Sequence, residues 1–170
     1  MINYRHGIFE TNSSSTHAMV VTSRAPKYEP SALHFEFDDF GWEFSVLTSM
    51  AEKAAYLYTA AVNIRQDYKG VQQTLRELLP GIKLTFEKPR YSYYGDYKFL
   101  ENGSVDHVGT DEQLEFVNTM LTDSDALKRY LFSEESYVVT GNDNCDKEQY
   151  EWFKHKEEPD YPHTTYYKGN

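Results

Sequence analysis

Two periodicities divide this chain. Residues 2–9 and 17–23 read as short strands, the second carrying the apolar run Ala18-Met19-Val20-Val21. Leu33-His34-Phe35-Glu36-Phe37 alternates apolar with polar and predicts another strand, followed by an acid-rich turn over Asp38–Glu43. From about Thr48 to Gln66 the spacing changes. Leu47, Met50, Ala51, Ala54, Leu57, Tyr58, Ala61 and Ile64 recur at intervals of three and four, which predicts a long helix. Ser49 and Glu52 have the spacing of a capping box at its start. A second helix is expected from Gly70 to Leu79, stopped by Pro80-Gly81.

Strand patterns return over 82–87 and over 91–100, the latter broken at Gly95-Asp96, and 103–108 is expected to continue the sheet. Thr110 caps a third helix, Gln113 completes its box, and Leu114, Val117, Met120 and Leu121 form its apolar stripe. A short helix follows over 124–132, then a β-branched strand over 136–140 and a turn at Gly141-Asn142-Asp143-Asn144. This order predicts an α+β domain: a largely antiparallel sheet packed by one long and two or three shorter helices. It spans 1–150. Residues 151–170 are expected to form an acidic, tyrosine-rich tail, partly disordered.

Composition sharpens this picture. Ten Phe, 15 Tyr and two Trp in 170 residues supply enough large surface for a packed core. The net charge of −10, with acids outnumbering bases from Ser133 onward, argues against capture of free nucleic acid and favours a basic partner. The single cysteine, Cys145, excludes a disulfide framework or a cysteine-based zinc site. No apolar run is long enough to span a bilayer, and residues 1–6 lack the apolar core of a signal peptide, so a cytosolic protein with no membrane partner is expected. The oligomeric state is not legible.

The segment Glu10-Thr11-Asn12-Ser13-Ser14-Ser15-Thr16-His17 concentrates the candidate chemistry. Metal-independent cleavage of RNA needs a base for the 2′-hydroxyl and an acid for the leaving 5′-oxygen, and two histidines suit those roles. His17 and His107 form the best pair, with Glu10 or Asp106 orienting one of them and Ser14 completing the catalytic set. Asn12, Ser13, Ser15 and Thr16 would hold phosphate oxygens. The same segment also reads as a tight polar turn whose hydroxyls satisfy its own backbone. A second option gathers Glu10, Glu43, Asp106 and Asp143 around magnesium or manganese. Asp123-Ser124-Asp125 is more simply a helix cap than a metal ligand. Serine acyl transfer lacks its Gly-x-Ser-x-Gly elbow.

Phe9-Glu10-Thr11-Asn12-Ser13-Ser14-Ser15-Thr16-His17 resembles the N-terminal signature of a group of phage and prophage proteins of Gram-positive bacteria. Phe40-Gly41-Trp42-Glu43, Val105-Asp106-His107 and Thr140-Gly141-Asn142-Asp143-Asn144 resemble its later signatures. Some members resemble anti-CRISPR proteins directed at type II Cas9, one class of which shortens the guide RNA. The resemblance implies an inhibitor acting on the Cas9–guide RNA complex in the host bacterial cytosol. It also implies a ribonuclease activity on that RNA, or else occlusion of the basic nucleic-acid channel by an acidic mimic. It groups Glu10, the serines, His17, Glu43, Asp106, His107 and Asp143 in one pocket.

Overall fold

A computed structural model describes residues 16–141 and 164–169. The fold is α+β. Ten strands and four helices follow one another as β1 (Thr16–Thr22), β2 (Ala32–Phe35), β3 (Asp39–Phe40), β4 (Ser45–Leu47), α1 (Met50–Arg65), α2 (Tyr68–Leu78), β5 (Lys83–Phe86), β6 (Tyr91–Tyr94), β7 (Tyr97–Leu100), β8 (Ser104–Val105), α3 (Asp111–Met120), α4 (Ser124–Phe132), β9 (Tyr137–Gly141) and β10 (Thr164–Gly169) among the described residues. The main sheet is antiparallel, in the order β10-β1-β9-β4. Two short parallel pairs, β2 with β5 and β3 with β8, and the β6–β7 hairpin stand apart from it.

Helix α1 is the axis of the molecule. Its Ser49 N-cap forms the expected capping box, accepting from the Glu52 amide at 3.2 Å while Glu52 accepts from the Ser49 amide at 2.9 Å. The expected apolar stripe is replaced by enclosure on all sides. Every residue from Lys53 to Val62 is buried, whereas Ala51 is exposed. The reason is packing: α2, α3, α4, β2 and β8 all contact this helix. Lys53 survives inside because its Nζ donates to the carbonyls of Ser133 at 2.6 Å and Ser136 at 3.0 Å. Aromatic rings fill the rest. Tyr56, Tyr58, Tyr130, Phe35 and Phe116 are fully buried, each contributing on the order of 2 kcal/mol of apolar burial.

Helix α2 starts two residues before its expected position, because Asp67 caps it by accepting from the Gly70 amide at 3.0 Å. Asp123 caps α4 through the amides of Asp125 and Ala126. In α3 the expected Leu114 is only half-buried, and Gln113 and Phe116 turn inward instead.

Two expectations differ from the structure, and one strand had none. Asp38–Glu43 is more than a turn, since Asp39–Phe40 forms β3 and pairs with Ser104–Val105. The strand β4 carries no sequence signal that separated it from the loop before α1. Residues 164–169 of the tail are the outer strand of the main sheet, with Thr22 opposite Thr164 and His17 opposite Gly169. Tyr167 is buried there, its ring edge-to-face with Phe116 at 5.5 Å. Its β-branched and aromatic residues favour a strand.

Candidate functional site around His17, Asp106 and His107

Strand β1 is buried along His17–Thr22 without alternation, as befits a strand flanked by neighbours on both edges and covered on both faces. That places the His17 side chain inside the protein, fully enclosed. Its Nε2–H donates to the backbone carbonyl of Asp106 at 2.9 Å, across 89 positions of sequence. Because a carbonyl only accepts, Nδ1 carries the lone pair and accepts from the Tyr56 hydroxyl at 3.3 Å. Burial lowers the His17 pKa to about 4, against the opposing pull of the Asp106 carbonyl and with a further lowering from the charge of His107. His17 is therefore a neutral brace at neutral pH.

Burial also raises the Tyr56 hydroxyl well above the ordinary phenol value, against a lowering contribution from the Gln113 side chain. The hydroxyl stays a proton donor. Gln113 itself reaches past the expected box. Its backbone amide donates to Thr110 Oγ1, but its Oε1 accepts from the Gly109 amide at 2.7 Å. Gln113 thus ties α3 to the turn over 106–109.

That turn carries the outer part of the site. Val105 ends β8, and the Asp106 amide donates to the Phe40 carbonyl at 2.8 Å. His107 follows in the left-handed region at φ 51°, a conformation in which histidine is enriched among non-glycine residues. His107 Nδ1 lies 3.4 Å from Asp106 Oδ2, with side chains 33% and 11% exposed. This contact fixes the ring's orientation more than it binds tightly.

Gly41 makes the close approach possible. It sits at φ +99°, and a Cβ there would lie 2.8 Å from Asp106 Cβ and 2.9 Å from His17 Nε2. Beyond it, Trp42 Nε1 reaches Ser104 Oγ at 3.5 Å, and Ser104 donates to Asp39 at 2.7 Å. Glu43 is exposed, and its carbonyl accepts from Thr140 Oγ1 at 3.5 Å. Thr140 lies opposite His17, and Gly141 opposite Thr16, in the β1–β9 register.

Four separated segments, 16–17, 40–43, 105–107 and 140–141, therefore meet at one place. Among the expected site residues, His17, Asp106, His107 and Glu43 belong to it. Thr16 enters through its strand pairing. Glu10, Asn12, Ser13, Ser14, Ser15 and Asp143 lie outside the described residues. The two paired histidines differ in setting: His17 is enclosed with both ring nitrogens occupied, and His107 is the one that meets solvent. Proton transfer requires reach to the substrate, which His17 lacks in this arrangement. Sequence reasoning missed Tyr56 and the reach of Gln113, whose only signals were a tyrosine amid helical apolar residues and a capping pattern.

Among the described residues, no group of three or more His, Cys, Asp or Glu is arranged to hold a metal ion. No helix among them is long and apolar enough to cross a membrane. Comparison of the chain with protein-family models, curated proteins and solved structures finds no match.

Proposed function

We propose that this chain is a phage-type inhibitor acting on guide-RNA-loaded Cas9, and that its working surface is built on Asp106 and His107. The carrying observation is the convergence of residues 16–17, 40–43, 105–107 and 140–141, the described parts of the four segments that resemble the phage group's signatures. Much of this meeting is sheet pairing and core packing, but it also brings a buried histidine, a carboxylate and a partly exposed histidine together, which suits the support of one surface.

The chemistry that suits it is transesterification of RNA. A base takes the 2′-hydroxyl proton, the 2′-oxygen bonds to phosphorus, the bond to the 5′-oxygen breaks, and an acid gives that oxygen a proton. In this reading His107 serves one role, with Asp106 setting its ring. A carboxylate, Glu10 or Glu43, serves the other. His17 holds the Asp106 main chain and transfers no proton. The acidic chain meets RNA where Cas9 already supplies cations, so its charge of −10 is no obstacle.

A second reading is favoured by the enclosure of His17, which leaves one accessible histidine of the expected pair. There the protein occludes the basic channel of Cas9 without cutting. One experiment separates the two. Cas9–guide complex is incubated with the protein and the RNA is run on a denaturing gel. Guide shortened by the wild type and intact with His107→Ala supports cleavage. Intact guide with lost target cleavage supports occlusion. Unimpaired Cas9 refutes both.

A further inference from the structure

The turn over Asp106–Gly109 is held at both ends by side chains that never reach the surface. At one end His17 Nε2–H donates to the Asp106 carbonyl at 2.9 Å, and at the other the Gly109 amide donates to Gln113 Oε1 at 2.7 Å. Tyr56 stands between the two. Its hydroxyl lies 3.3 Å from His17 Nδ1, and the Gln113 side chain acts on the same hydroxyl as a donor, lowering a pKa that burial raises. Gln113 Nε2 is buried with no hydrogen bond of ordinary length among the described residues, so this is the loose link of the series.

The donors run one way. Gly109 gives to Gln113, Gln113 faces Tyr56 as a donor, Tyr56 gives to His17, and His17 gives to the Asp106 carbonyl. Hydrogen bonds aligned in series polarise one another. Three elements supply the side chains: β1, α1 and α3. His17 and Tyr56 are fully enclosed, and Gln113 is 1% exposed.

Apolar side chains would fill this space without desolvating an imidazole, a phenol and an amide. A satisfied hydrogen bond adds little net stability, so polarity here contributes direction more than strength. That direction serves a conformation that histidine does not favour. His107 sits at φ 51°, between the two clamped groups, and Gly109 at φ +100°. A non-glycine residue in the left-handed region persists where its surroundings fix it, and such residues cluster at functional sites.

We propose that Tyr56 and Gln113 are positioning residues for His107: with His17 they fix both ends of its turn, and so set its left-handed backbone and the place of its ring beside Asp106. Neither side chain touches a substrate, and both act through the main chain. As a statement about activity the inference rests on the reading of His107 as the working group, whereas the clamp is tested by itself.

The test uses the full chain. Tyr56→Phe removes the hydroxyl and keeps the ring, and Gln113→Leu removes the acceptor of the Gly109 amide. Tyr58→Phe is the control, because it removes another buried hydroxyl of α1, one that donates to the Glu87 carbonyl at 3.2 Å. NMR of isotope-labelled protein gives the His107 Cα shift, which reports its φ, and the exchange rate of the Gly109 amide. Gln113→Leu is expected to speed that exchange about fivefold. Both Tyr56→Phe and Gln113→Leu are expected to move the His107 Cα shift and to raise the concentration for half-inhibition of guide-loaded Cas9 about tenfold. Tyr58→Phe should do none of these at a comparable loss of stability in urea. If Gln113→Leu does not fold, Tyr56→Phe, which keeps its apolar contacts, decides alone. The proposal is overturned if the two variants leave the His107 shift where it is in the wild type, or if Tyr58→Phe moves it as far. It is also overturned if they move it and inhibition is kept while His107→Ala abolishes inhibition. Inhibition kept by His107→Ala refutes the reading of His107 itself, and the NMR arms still decide the clamp.

Discussion

Gly41→Ala should be far more damaging than its size suggests. Two costs combine. At φ +99° any side chain brings backbone strain of about 1–2 kcal/mol. The new methyl also lands 2.8 Å from Asp106 Cβ and 2.9 Å from His17 Nε2, both in tightly packed surroundings, which adds overpacking of about 1–3 kcal/mol. The expected destabilisation is about 3 kcal/mol. Gly81 supplies the internal control. It has a similar φ of +89°, but nothing lies within 4 Å of its virtual Cβ, so Gly81→Ala carries the strain alone. Urea unfolding of both variants isolates the crowding as the difference between them. If Gly41→Ala costs no more than Gly81→Ala, the close meeting of residues 17, 41 and 106 is wrong, and the site built on it falls.

Acid should destabilise the protein through His17 before its carboxylates titrate. With the folded pKa lowered from 6.5 to about 4, the unfolded chain binds a proton that the folded chain refuses. Stability is therefore complete above about pH 6.5 and declines as pH falls toward 4, by about 2 kcal/mol between pH 7 and 5. His17→Gln should remove that part of the slope in urea titrations at the two pH values, and an unchanged slope would count against a neutral, enclosed imidazole. Lys53→Met leaves the Ser133 and Ser136 carbonyls without their Nζ donor, at an expected cost of about 2 kcal/mol in the same measurement.

Helices were the most legible part of this chain. Their signals are local: Ser49 with Glu52, Asp123 before its helix, and apolar residues at helical spacing. The site was legible as a set of residue types but not as a geometry. Strands β3 and β8 have two residues each, too few to show alternation, and their parallel pairing depends on chain far away. Likewise, His17 could be read as a reactive group because sequence reports its chemistry and not its burial. The unbroken run Ala18–Val21 was the available hint that its strand is covered on both faces, and that the histidine beside it faces inward. The tail misled for a different reason. Its prolines and terminal position suggested looseness, while the Thr164–Gly169 pairing with β1 is non-local.

In the proposed function the two histidines divide the labour: His17 braces, and His107 works. Inhibition of target-DNA cleavage by guide-loaded Cas9, measured with wild type and His107→Ala at equal concentration, tests it most directly. His107 is partly exposed on a turn, so its replacement should leave the protein folded, with the melting temperature lowered by a few degrees for the lost Asp106 contact, while inhibition is lost. A folded His107→Ala protein that inhibits as well as the wild type would contradict the account.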